Sequence, residues 1–177
     1  MILRPLTVAA ALAAISAGAG AYLLRDSARV IDGDTIDVDR ARVRIWGIDA
    51  PDRPASMKAA AGDYLAQQIE REGGVTCATK PSDNRAMRRT RAPSCPSALT
   101  SYRRTVTACR FRRSGDDVGA RMIAAGFAVD WRGFSDGYYA ASAVHARADR
   151  AGLWRSNRFQ MDALARQRGT ECRSGNG

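Results

Sequence analysis

At 177 residues, with 45% hydrophobic and 26% charged residues, the chain can bury one ordinary core but leaves no room for a second catalytic domain, and it shows no internal repeat. A formal net charge of +10 suits a polyanionic partner and would raise encounter rates with nucleic acid. The four cysteines contain no Cys-x-x-Cys pair and the one histidine is His145, which argues against a zinc site.

In chain order, residues 1–21 read as a targeting segment. They have a positive start at Arg4, an apolar alanine-rich stretch, and small residues at Ala17-Gly18-Ala19 or Ala19-Gly20-Ala21 for cleavage. The competing reading is an uncleaved anchor, because residues 6–24 approach the ~20 needed to span a bilayer. Either reading exports the folded domain to the periplasm or the outside, with transient membrane contact through this segment. In an exported chain Cys77, Cys95, Cys109 and Cys172 read as disulfides, for which three pairings are possible.

Residues 31–38 and 43–48 are short β-branched-rich runs, broken by Gly33 and by Asp39-Arg40, and read as a β-meander ended by Pro51 and Pro54. Alternation puts Asp32 and Asp34 on one face, while Asp49 begins the turn after the later strand. Asp32, Asp34, Asp49 and Asp52 would repel one another without a neutralising cation. Two Asp-rich turns alone could be ordinary polar loops. Arg44, converging on the same turns, supplies the planar fork that a phosphodiester needs beside a hard divalent cation.

Residues 55–71 form a candidate helix after Pro54. A loop carrying Lys80, Arg85, Arg88, Arg89 and Arg91 among Pro81, Pro93 and Pro96 leads to Tyr102-Arg103-Arg104. It reads either as a phosphate-tracking rim, with Tyr102 and Trp131 as stacking faces, or as a solvated arginine-biased loop. Helices are expected over 118–125 and over 138–151, the second ended by Gly152. His145 reads as a surface or packing residue and Leu153-Trp154 as an apolar plug. From Asn157 to the end the chain reads as a polar, basic and partly disordered tail.

The run Val30-Ile31-Asp32-Gly33-Asp34-Thr35, followed by Val43-Arg44-Ile45-Trp46-Gly47-Ile48-Asp49-Ala50-Pro51-Asp52, resembles the staphylococcal nuclease (thermonuclease) family. Later blocks continue the resemblance over residues 28–156: Tyr102-Arg103-Arg104, Asp117-Val118-Gly119, Ala125-Gly126-Phe127-Ala128 and Ala148-Asp149-Arg150-Ala151-Gly152-Leu153-Trp154. The resemblance implies an OB-fold, a five-stranded β-barrel with about three α-helices. It implies a Ca²⁺ held by Asp34, Asp49 and the Ala50 carbonyl, with Asp32 nearby. It makes Arg44 and Arg104 the phosphate-binding arginines, Tyr102 a nucleotide contact and Asp52 the general base. Asp52 stands where the family has glutamate; one methylene less withdraws its oxygens by about 1 Å, enough to cost on the order of a hundredfold in rate. Arg103 stands where the family has glycine. The resembled fold would set residues 75–79 against 105–111, which implies a Cys77–Cys109 bridge and leaves Cys95 with Cys172.

The function so implied is calcium-dependent phosphodiester hydrolysis of single-stranded DNA or RNA by an exported monomer. Two alternatives are a non-catalytic OB module that binds nucleic acid and an envelope accessory protein handling an acidic exopolysaccharide.

Overall fold

The computed structural model describes residues 28–39, 41–77, 100–101 and 104–170. The meander forms as expected from strands β1 (Arg29–Asp32), β2 (Thr35–Val38) and β3 (Ala41–Ile45), all antiparallel. One detail differs. The pairing of β1 with β2 turns at Gly33-Asp34, so Asp32 and Asp34 flank a bend instead of sharing one strand face. Glycine is needed at that bend, because a Cβ on Gly33 would lie 2.6 Å from the Ala61 Cβ and 2.7 Å from that of Ala50.

Strand β4 (Ile48–Asp49) follows β3 after a turn at Gly47, and β5 (Val75–Cys77) follows the first helix. Strands β6 (Thr100–Ser101) and β7 (Arg104–Thr107) extend the meander sheet to the order β1-β2-β3-β7-β6, with β7 parallel to β3. β8 (Cys109–Phe111) pairs with β5, and β9 (Val129–Asp130) pairs with β4. The architecture is mixed α+β. Among the described residues the ladders form one open five-stranded sheet and two two-stranded pairs, without closing into a barrel. The single run expected over 105–111 is divided at Ala108, and its second half pairs with β5, away from the main sheet.

Helix α1 spans Ala55–Arg71, the bounds read from the sequence, because Met57, Ala61, Leu65 and Ile69 recur every fourth residue and are all buried. Helix α2 (Val118–Ala124) is capped by the Asp117 carboxylate, which accepts from the Ala120 N–H at 2.9 Å. The expected helix over 138–151 is shorter, as α4 (Ala140–Ala148), and is preceded by the four-residue α3 (Arg132–Ser135). His145 is exposed on α4. Leu153 and Trp154 are buried in the four-residue α5 (Leu153–Ser156).

The expected tail is corrected by α6 (Arg158–Thr170). Met161 on it is fully buried, and Leu164 and Ala165 pack against the same cluster. The spacing 161, 164, 165 is a helical stripe, narrow enough to be hidden in a segment of polar composition. Residues 171–177, including Cys172, lie outside the described residues.

The two cores explain where these helices sit. Ile36, Ile45, Ile48, Leu65, Val75, Phe111, Val118 and Met122 fill the space between sheet, α1 and α2. Met57, Val129, Ala146, Leu153, Trp154 and Met161 fill a second one, which fastens α4, α5 and α6 to the outer side of α1 and β9. The Cys77–Cys109 bridge is present, with the two cysteines directly opposite in the β5–β8 pair and their Cα atoms 4.0 Å apart. Among the described residues no helix is long and apolar enough to cross a membrane. The targeting segment, the basic loop of residues 80–100 up to position 99, and Cys95 lie outside the described residues.

Candidate active site

The register of β2 against β3 sets Thr35 opposite Arg44, which brings the Arg44 head back to the Gly33-Asp34 turn. Gly47, at φ +74°, then reverses the chain into β4; a Cβ there would meet the Tyr139 ring at 2.9 Å. Asp49 is thereby returned to the same guanidinium. Arg44 donates from Nη1 to Asp34 Oδ1 at 2.9 Å and from Nη2 to Asp49 Oδ1. All three side chains are buried.

Each remaining carboxylate oxygen also has a donor. The Ala50 N–H reaches Asp34 Oδ2 at 2.9 Å, and Thr35 Oγ1 donates to Asp34 Oδ1 at 2.9 Å. Asp49 Oδ2 accepts from Nε of Arg168 at 2.8 Å. Trp131 carries both arginines on its ring, with the guanidinium carbon of Arg168 4.4 Å and that of Arg44 5.1 Å from the ring centre. The space left beside Arg44, lined by Gly47, Val106, Trp131 and Phe134 among others, is about 10 Å³, room for one water.

Burial pushes the Asp34 carboxyl up to about 7; Arg44 opposes this, while Asp49 and Asp32 add repulsion. Desolvation is the chief cause, and the two aspartates of the centre face two guanidinium groups, those of Arg44 and Arg168. Asp130 is a second buried acid next to it on β9; burial raises its pKa, and Ser135 donates to its Oδ1. Among the described residues its Oδ2 and the Trp131 indole N–H have no hydrogen-bond partner.

Of the residues singled out in the sequence, the structure brings together Asp34, Arg44, Asp49, Ala50 and Trp131. Asp32 sits at the edge, where its Oδ1 accepts from the Asp34 N–H at 3.2 Å. Asp52 lies outside the hydrogen-bonded cluster. Its side chain is 73% exposed, and Lys58 Nζ stands 3.5 Å from its Oδ1 and 3.7 Å from Asp32 Oδ2. The backbone of Arg104 opens β7, one residue before the Val43–Thr105 pair, so it lies on the strand next to that of Arg44. Tyr102 and Arg103 lie outside the described residues. Thr35, Lys58 and Arg168 were not among the expected site residues. The only sequence signal for Arg168 is its place seven residues after Met161, on the same helical face.

Asp34 and Asp49 offer hard, buried oxygen donors of the kind that Ca²⁺ takes. The Arg168 guanidinium on Asp49 Oδ2 stands in for such a cation. Among the described residues no third His, Cys, Asp or Glu joins them to make a metal-holding group. The two carboxylates match a divalent cation in donor type, while each of their oxygens accepts from a donor of the chain, the outer oxygen of Asp49 from Arg168.

The fold and site define a mixed α+β protein with a buried Asp–Arg–Asp centre. No family model matches the chain. It is 33% identical over 155 residues to succinoglycan biosynthesis protein ExoI of Rhizobium meliloti (strain 1021), an alignment covering 85% of this chain and 76% of that protein. The chain belongs to the family of that protein.

Proposed function

We propose that the protein is an exported, calcium-dependent nuclease of the staphylococcal nuclease type, hydrolysing phosphodiester bonds of single-stranded DNA or RNA as a monomer. The observation that carries this reading is the convergence of Asp34, Arg44 and Asp49 from a turn and two strands onto one buried centre. The fold proposed with it is the OB barrel, supported by a five-stranded sheet that continues the meander through the parallel β3–β7 pair.

A bound Ca²⁺ would supply Lewis-acid polarisation of the phosphate and a more acidic water. Asp34 and Asp49 would hold it, with the Ala50 carbonyl and Asp32 beside them. Arg44 is preorganised by its two carboxylate bonds, so it can offer charge to a developing phosphorane without reorganising. Arg104 enters on the adjacent strand as the second phosphate ligand, with Tyr102 and Arg103 leading to it. Asp52 is exposed beside Lys58 and can accept a proton from water at the site's rim, at a rate lowered by its short side chain. Trp131 offers a stacking face to a base.

The test is digestion of single-stranded DNA and RNA by the full chain, with Ca²⁺ and with chelator, beside Asp34→Asn and Arg44→Gln. Calcium-dependent cleavage, reduced on the order of 10²–10³-fold in Arg44→Gln, is expected. Cleavage that is absent or indifferent to chelator refutes the reading, and DNA binding without cleavage identifies the non-catalytic OB module instead.

A second reading has its own support in the relative assigned to succinoglycan biosynthesis. Here the protein is an envelope accessory factor for an acidic exopolysaccharide, and its net charge of +10 faces that polymer. Competition between single-stranded DNA and an acidic polysaccharide for the protein separates the two.

A further inference from the structure

Arg168 reaches Asp49 from 119 residues away, on the last helix of the described chain. Helix α6 is anchored at its start by Met161, which is fully buried among Met57, Val129, Leu153 and Trp154. It then crosses β9 and α3, and its final turn is exposed at Arg166, Gln167 and Gly169. A Cβ on Gly169 would meet nothing within 4 Å. From that turn Arg168 points inward, with its side chain 20% exposed against 5% for Asp49.

The two arginines of the site therefore differ in how they are held. Arg44 belongs to β3, which is hydrogen-bonded on both edges, and its Nη atoms bind the inner oxygens of both aspartates. Arg168 belongs to a helix end at the surface and binds the outer oxygen of one. Movement of that end frees two things together: the outer oxygen of Asp49 and the face of Trp131 that Arg168 covers.

Resting on the metal reading above, we infer that the end of α6 is an internal latch: Arg168 occupies the divalent-cation seat on Asp49 and the stacking face of Trp131, and must swing away before a cation binds. The closed form thereby keeps the acidic centre neutralised when no divalent cation is present. A latch closed about nine-tenths of the time lowers apparent cation affinity about tenfold.

Calcium titration calorimetry on the full chain, after chelation and with Ca²⁺ as the sole ligand, tests this in wild type, Arg168→Gln and Arg166→Gln. Arg168→Gln should bind Ca²⁺ about tenfold tighter. Arg166→Gln, the same charge change two residues away, should stay within about twofold. In wild type, Ca²⁺ should speed amide hydrogen exchange over residues 166–170. Equal affinity in wild type and Arg168→Gln, an equal gain in Arg166→Gln, or calcium-induced protection of residues 166–170 would each overturn the latch while leaving the cation site standing. Absence of Ca²⁺ binding in all three proteins overturns the cation site and the latch with it. Arg168→Lys guards against a folding defect: it keeps the charge but not the stacking, and with a wild-type near-UV spectrum it should gain about threefold, no gain counting against the latch.

Discussion

Replacing Arg44 by methionine, which fills similar space without charge, should destabilise the protein in a way that depends on pH with a definite sign. Breaking a buried ion pair by removing one partner costs about 3–5 kcal/mol, because the other charge is stranded. Here two carboxylates lose Arg44, yet neither is left bare. Asp49 keeps Arg168, and Asp34 keeps the Ala50 N–H and the Thr35 hydroxyl. Asp34 can also take up a proton, since its carboxyl already sits at about 7. The lower end of the range applies, about 3 kcal/mol at pH 8. The unfolded carboxyl titrates near 3.9, so in wild type the native state holds the extra proton between roughly pH 4 and 7, and stability from this group is present below that window and lost as pH rises through it. Without Arg44 the native pKa climbs further, and the loss continues above pH 7. At pH 5, where Asp34 is protonated in both proteins, the difference should shrink to about half. At about 3 °C per kcal/mol for a domain of this size, calorimetry in chelated buffer should show a Tm drop of about 9 °C at pH 8 and about 4–5 °C at pH 5. A drop that is equal at the two pH values, or larger at pH 5, refutes the idea that Arg44 compensates a buried carboxylate cluster.

Opening the Cys77–Cys109 bridge with Cys109→Ser releases a loop of sequence separation 32, for which chain entropy gives about 3–4 kcal/mol; a Tm unchanged by the substitution would refute that the bridge stabilises by constraining the unfolded chain. Gly126→Ala should be far worse than Gly115→Ala although both glycines have positive φ. At Gly126 a Cβ would lie 2.1 Å from the Ala151 carbonyl oxygen, and at Gly115 it would meet nothing within 4 Å. Urea melts should give more than about 3 kcal/mol for the first and about 1 for the second, and the reverse order would contradict the packing of Gly126 against Gly152. Met161→Ala should cost about 3 kcal/mol by emptying the second core, and trypsin should then cut within α6 faster than in wild type; equal cutting rates would mean that Met161 does not hold the helix.

Where neighbours in space are neighbours in sequence, the chain could be read directly. The bounds of α1 were legible as a run opening after Pro54, and the structure adds which face is buried, along Met57, Ala61, Leu65 and Ile69. The meander and its turns placed Asp34, Arg44 and Asp49 within reach of one guanidinium, because hairpin register follows from local turn chemistry. Resemblance to a known family supplied the Cys77–Cys109 pairing, which spacing alone left among three. Tertiary structure decided what lies far apart in sequence. Asp52 follows Asp49 by three residues, yet the chain leads it out to Lys58 and solvent. A polar stretch after Asn157 became a helix because a partner surface existed for Met161, Leu164 and Ala165; such a stripe is too thin to hold a helix by itself. Once that helix is docked, Arg168 arrives at Asp49, announced in the sequence only by its seven-residue spacing from Met161. The carboxylate cluster is thus written in the sequence, while the cation that covers it exists only because two cores position a remote helix across the site.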